Sequence, residues 1–160
     1  MTFKQRQNRL KKTVLLLKKH YPMRRAKATS DTMSLIQLLV LATITEDPYV
    51  PSAMQAVRRM ERDYVDWNEV RVSSSHELGE VLKAYRLDPE RANDLKSMLQ
   101  MIFGRENKLS TDLTSSDSFD IIKSYLLGYE NCPRRVVDTV LMLLGEHRDI
   151  PAGDQVMRFA

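Results

Sequence analysis

The stretch Ser118-Phe119-Asp120-Ile121-Ile122-Lys123-Ser124-Tyr125-Leu126-Leu127-Gly128-Tyr129-Glu130-Asn131-Cys132-Pro133-Arg134-Arg135-Val136-Val137-Asp138-Thr139-Val140-Leu141-Met142-Leu143-Leu144-Gly145 decides how this chain is read. Its apolar residues recur at helical spacing on both sides of a short polar break. Ser118 to Leu127 reads as one helix stopped by Gly128. Cys132-Pro133 opens a second that runs through Leu144 to Gly145, because glycine favours helix ends and proline tolerates helix starts. Five residues separate the two, so the helices must fold back as a hairpin spanning about residues 118–145.

Working upstream, the pattern stays helical. Asp88-Pro89-Glu90 opens a helix that buries Leu95, Met98, Leu99 and Ile102 and stops near Gly104, followed by a polar loop from about Arg105 to Ser116. Ser73-Ser74-Ser75 offers an N-cap for a helix from His76 to Tyr85, with Glu77 in its first turn. Only Val65-Asp66-Trp67-Asn68-Glu69-Val70-Arg71-Val72 looks extended. After Pro51-Ser52 a surface helix places Met54, Val57, Met60 and Tyr64 on one face. Ser30-Asp31 caps a helix through Thr45 that is apolar nearly all round, as expected of a helix enclosed by neighbours. Residues 3–20 set Leu10, Val14 and Leu17 at helical spacing among lysines, giving one face for packing and one for an anion, and Tyr21-Pro22 ends this helix. The expected class is therefore all-α, a helical globule of about eight helices, with a basic N-terminal arm over 1–29 and a helical domain over 30–160.

Composition limits what such a chain does. The 42% hydrophobic and 29% charged content suits a folded globular protein. The apolar run Met33 to Ile44 is too short for the roughly 20 residues of a membrane span, so no membrane partner is expected. Cys132 is the only cysteine. That excludes an internal disulfide and any cluster or metal site built from several cysteines, and it fits a reducing, cytoplasmic compartment. Residues 1–30 hold ten Lys or Arg (Lys4, Arg6, Arg9, Lys11, Lys12, Lys18, Lys19, Arg24, Arg25 and Lys27) and no acid, leaving fifteen bases against twenty-one acids elsewhere. A cationic arm on an acidic body suits a polyanion, since each neutralised phosphate releases a counterion. A merely solubilising charged face is the plain alternative.

Beyond spacing, Leu126 to Gly145 resembles the hairpin and following helix of the helix-hairpin-helix DNA glycosylases, endonuclease III-like, which read approximately L-x-x-L-P-G-V-G-x-K-T-A-x-x-V-L-x-x-x-x-G. Pro133, Arg134, the apolar rhythm and Gly145 align without a gap. Downstream, Ile150-Pro151-Ala152-Gly153-Asp154-Gln155-Val156-Met157-Arg158-Phe159-Ala160 is similar to the family's F-P-V-D-T-H-V-L-R-V-A. Leu35 to Thr45 and Asp66 to Ser74 also look like members of the family. The similarity covers about residues 30–160 and is one of pattern, and the resemblance implies a second lobe that is incomplete, ending inside a helix.

The resemblance implies a base-excision repair protein that binds double-stranded DNA, nucleoid-associated within the cytoplasm. Its departures bear on the chemistry. Glu130-Asn131-Cys132 stands where the family has G-V-G; Asn131 tolerates a left-handed turn, whereas Glu130 sets a negative charge where a phosphate would approach. Arg134 matches the lysine that bifunctional members use as amine nucleophile, and a guanidinium stays protonated and cannot form a Schiff base. AP-lyase activity is thereby excluded at this position, while phosphate contact by Asn131, Pro133, Arg134 and Arg135, with Lys11, Lys12, Lys18 and Lys19 on the arm, is retained. The catalytic aspartate aligns with Gly153; Asp154, one place later, is the only carboxylate near the expected position, and its plain reading is an N-cap. His147 reads as a loop residue, and Tyr64 and Trp67 as core packing. Many members carry an iron-sulfur cluster on four cysteines that this chain lacks, so no cofactor and no metal are expected. The implied protein is a glycosylase homologue with impaired or lost base-releasing activity; the alternative is a non-catalytic helical module for DNA or protein interaction.

Overall fold

Ten residues at the centre of the molecule, Leu35–Ile44, form a helix (α2) of which only Gln37 escapes burial. An all-apolar helix can exist in water only when neighbours cover its whole circumference, and α2 is covered by α3 (Pro51–Asp63), α6 (Arg91–Glu106) and α8 (Arg134–Leu143). The remaining helices are α1 (Phe3–His20), α4 (Trp67–Val72), α5 (Ser75–Ala84) and α7 (Phe119–Leu127). This computed structural model describes residues 2–20, 33–45, 51–109, 113, 119–129 and 132–144, apart from the side chains of Leu17, Lys18 and Phe119. Eight α-helices and no strand occur among the described residues, so the fold is all-α. Leu38, Leu39, Leu41, Leu95, Leu99, Ile102, Val140 and Leu141 meet in one core. Truncating one such leucine to alanine costs about 2–5 kcal/mol through lost transfer energy and the cavity left behind.

The helix that buries Leu95, Met98, Leu99 and Ile102 does so as its spacing predicts. It runs past Gly104, however, and keeps Arg105 and Glu106 out of the expected loop. Asn107, at φ 54°, supplies the left-handed residue instead and donates its N–H to Phe103 O at 2.8 Å. Helix α5 starts at Ser75 with Ser74 as N-cap and Glu77 in its first turn, within the serine run chosen from sequence. It ends in a Schellman arrangement: Leu87 N–H donates to Leu82 O at 3.1 Å and Arg86 N–H to Lys83 O at 2.9 Å. Arg86, at φ 59°, occupies the left-handed position that glycine usually takes.

Four expectations are corrected. The segment expected to be extended is helix α4. Asp66 accepts from Glu69 N–H at 2.8 Å and the Glu69 carboxylate accepts from Val65 N–H at 2.5 Å, so an Asp-x-x-Glu cap outweighs the β-branched valines. The N-cap of α2 is Ser34, reciprocated by Gln37 in a capping box, three residues beyond the expected Ser30-Asp31, which lies outside the described residues. Pro133 is the N-cap of α8 rather than its first residue, so the connection from α7 is six residues long. The expected packing face of α1 is open: Leu10 is 67% and Val14 42% exposed. A helix of this composition, with no acid against seven Lys or Arg, lacks the charge to pair its own side chains.

Candidate functional site

The start of α8 lies against the end of α2, and between them and α6 opens a cleft of about 630 Å³. Met98, Met101 and Val136 form its apolar part, while Thr43, Arg91, Asp94 and Arg135 bring polar groups to it. Helix α8, which begins at Arg134 after Pro133, has no side-chain cap and no acid in its first turn, in contrast to the caps of Ser34, Asp66 and Ser74 on other helices. Its N-terminal end therefore carries the positive pole of its dipole with no acidic residue in the first turn.

The two arginines there have different tasks. Arg135 is half-buried, and its Nη1 donates to Ala42 O and Thr45 O, both at 3.0 Å. These are carbonyls at the C-terminal end of α2, where a guanidinium both satisfies acceptors and opposes the negative pole. Arg135 is thus a tie between α8 and α2. Arg134 points outward: its side chain is 62% exposed and its Nε donates to Asp138 at 3.0 and 3.2 Å to the two carboxylate oxygens. At the cleft rim Arg91 pairs in the same intrahelical manner with Asp94 at 3.1 Å.

The hairpin is held by a cluster that sequence reasoning passed over. Tyr125 and Tyr129, four residues apart, meet edge to face with centroids 5.3 Å apart and share a hydroxyl hydrogen bond of 2.7 Å. Arg105 lies over both rings, 4.6 Å from the centroid of Tyr129, and the Tyr129 hydroxyl donates to Glu106 at 3.2 Å. Burial, with Tyr125 and Glu106 close by, pushes the Tyr129 phenol well above its usual range, so it stays protonated and a donor. Gly128 leaves room for this: a Cβ there would stand 2.7 Å from Arg105 Nη1 and 3.2 Å from Tyr125 O. The signal in the sequence is the Tyr-x-x-x-Tyr spacing together with Arg105 and Glu106, which α6 extends to include.

The other sequence-derived candidates distribute as follows. Lys11, Lys12 and Lys19 are exposed on α1, and the side chain of Lys18 is outside the description. Pro133 is exposed at the start of α8. Asn131, Glu130, His147, Gly153 and Asp154 lie outside the described residues. Cys132 is half-buried, and burial pushes its thiol up to about 11, so it is a neutral, poorly nucleophilic group at neutral pH. Tyr64 and Trp67 are half-buried against the core, and the Tyr64 hydroxyl bonds Glu77 at 3.2 Å. Thr139 Oγ1 is buried with no hydrogen-bond partner among the described residues. Among the described residues no group of three or more His, Cys, Asp or Glu could hold a metal ion, and no helix is long and apolar enough to cross a membrane.

What the fold defines at this level is an all-α protein with a central buried helix and two packed helices, α7 and α8, separated by six residues of sequence. The chain matches no protein-family model, no curated protein and no solved structure.

Proposed function

We propose that this chain is a divergent member of the endonuclease III-like DNA glycosylase superfamily that binds duplex DNA through the start of α8, without lyase chemistry and with base release impaired or lost. The observation that carries the reading is the end of α8 itself. Pro133 provides no side-chain cap, the first turn holds no acid, and the guanidinium of Arg134 stands exposed where the resemblance sets a nucleophilic lysine. Such an end suits a phosphate: backbone N–H groups, the dipole and a cation all favour an anion. Lys11, Lys12 and Lys19 on α1 add sequence-independent attraction for the same polyanion.

The guanidinium of Arg134 offers no amine for covalent attack on a sugar carbon. The mechanism open to a surviving enzyme is monofunctional hydrolysis supported by a carboxylate, for which Asp154 is the candidate. Duplex binding should fall steeply with salt and weaken on Arg134→Ala, and borohydride should trap no covalent complex with an abasic duplex. A panel of damaged-base duplexes, with Asp154→Asn as control, then separates a glycosylase from a binding protein that does no chemistry. Absence of any duplex binding at low salt would sink both.

A further inference from the structure

Helix α1 differs from every other described helix in having no described side chain buried: Phe3 to Leu16, Lys19 and His20 are all exposed, Phe3 to 82%. It carries seven Lys or Arg and no acid, and none of the ion pairs among the described residues involves it. The helix cannot neutralise itself. Arg6 and Arg9, and Arg9 and Lys12, stand three residues apart, where like charges destabilise a helix. Most helical stability in proteins comes from packing an amphipathic face, and on α1 that face is open.

Phe3, Leu10 and Val14 recur at intervals of seven and four and share one face. Lys4 and Lys11, each one place on from Phe3 and Leu10, line one edge of it, and Arg6 lines the other. In sequence the apolar turn Val14-Leu15-Leu16-Leu17 stands between Lys11-Lys12 and Lys18-Lys19, and Leu15 and Leu16 are exposed as well. An occupant of α1 must therefore supply negative charge along its length and an apolar interior beside that charge. A nucleic acid backbone supplies the charge but leaves the apolar face in water. A second copy of α1 supplies an apolar face but brings the same cations. The surface of an anionic bilayer meets both demands, since headgroup phosphates take the cations, acyl chains take the apolar residues, and lysine stems reach from one layer to the other.

We propose that α1 docks in the plane of an anionic phospholipid surface, with Phe3, Leu10 and Val14 toward the acyl chains and Lys4, Arg6 and Lys11 at the headgroups. Spanning is not involved. Among the described residues no helix is long and apolar enough to cross a membrane, whereas a helix lying in the interface needs only one apolar face. The expectation of no membrane partner rested on spanning length and does not reach this case. The proposal is independent of the start of α8, but it draws on lysines that also attract a duplex, so lipid and duplex compete for α1.

The whole chain, sedimented at low salt with vesicles of phosphatidylcholine, should remain in solution, and with vesicles of equal parts phosphatidylcholine and phosphatidylserine it should pellet. Lys4→Gln and Lys11→Gln should each lower partitioning onto the anionic vesicles about fivefold. Leu10→Gln combined with Val14→Gln keeps the charge and a good helix former at both places. It should lower partitioning by about tenfold or more, leave duplex binding within about twofold, and leave the melting temperature unchanged because both side chains are exposed. Duplex binding without vesicle binding would assign α1 to nucleic acid and overturn the proposal. Vesicle binding indifferent to the Leu10 and Val14 changes would show charge attraction alone and also overturn it. A dimer in the absence of lipid that the same double change dissolves would put a second copy on the apolar face instead. Binding to neither vesicle nor duplex, with no dimer, would leave that face to another protein and reject the lipid surface.

Discussion

Replacing Arg135 by alanine removes two hydrogen bonds from a cation to Ala42 O and Thr45 O, together with the charge that opposes the C-terminal pole of α2. Hydrogen bonds to a charged group contribute about 1.5–3 kcal/mol, and a cation at a helix C-terminus about 0.3–1 kcal/mol. Arg135 is only half-buried, so water will reach part of the vacated space and recover some of that energy. A net loss of about 2 kcal/mol is expected, equal to a fall in melting temperature of about 4–8 °C for a domain of this size. Arg134→Ala is the contrasting variant. It breaks an exposed pair and should cost no more than about 0.5 kcal/mol, while removing the guanidinium proposed to meet a phosphate. Thermal denaturation followed by circular dichroism, run beside duplex binding on the two variants, reads the division directly. A melting temperature for Arg135→Ala within about 1 °C of the unchanged protein would refute the assignment of Arg135 as the tie between α8 and α2.

Three further outcomes are expected. Arg86→Gly should stabilise the protein by about 0.5–1 kcal/mol in a urea titration, because Arg86 sits at φ 59° in a conformation that glycine adopts without strain. Gly128→Ala should push Arg105 off Tyr129 and cost about 0.5–1 kcal/mol of cation–ring attraction, most of it absent when the same change is made in an Arg105→Ala background. Native Cys132 should be alkylated far more slowly than the same thiol in the denatured chain at pH 8, with the rate rising toward pH 11. Because burial raises the folded thiol from 9.0 to about 11, its contribution to stability is fully present below pH 9 and is lost as pH rises through 11. Equal labelling rates in the folded and unfolded chain would contradict that burial.

Helix identity was legible wherever a single helical face met a cap or stop of the expected chemistry. Leu95, Met98, Leu99 and Ile102 on α6, and Ser74 ahead of α5, were read correctly because periodicity and capping are encoded within a few residues. The difference at Val65–Val72 is also local: the segment looks extended in sequence, yet Asp66 and Glu69 accept backbone N–H groups at its start and make a helix with only Val70 buried. The apolar spacing of Leu10 and Val14 was read as a packing face, but periodicity records that a face exists and not what covers it. At the hairpin, Arg134 and Arg135 are adjacent and chemically identical, so nothing in their order distinguishes an exposed cation from a tie.

What the sequence determined by itself was an all-helical chain with an apolar central helix, a hairpin around Gly128 to Pro133, and a single cysteine that rules out disulfide or multi-cysteine chemistry within it. Each of these follows from neighbours along the chain or from a count. Only the tertiary structure decided which arginine of the pair faces solvent, that Arg105 and Glu106 lock the two hairpin tyrosines, and that the end of α2 receives a guanidinium ninety or more positions away. Those outcomes depend on which carbonyl, ring or carboxylate a side chain meets across the core, and that partner is set by how the helices pack rather than by the residues beside it.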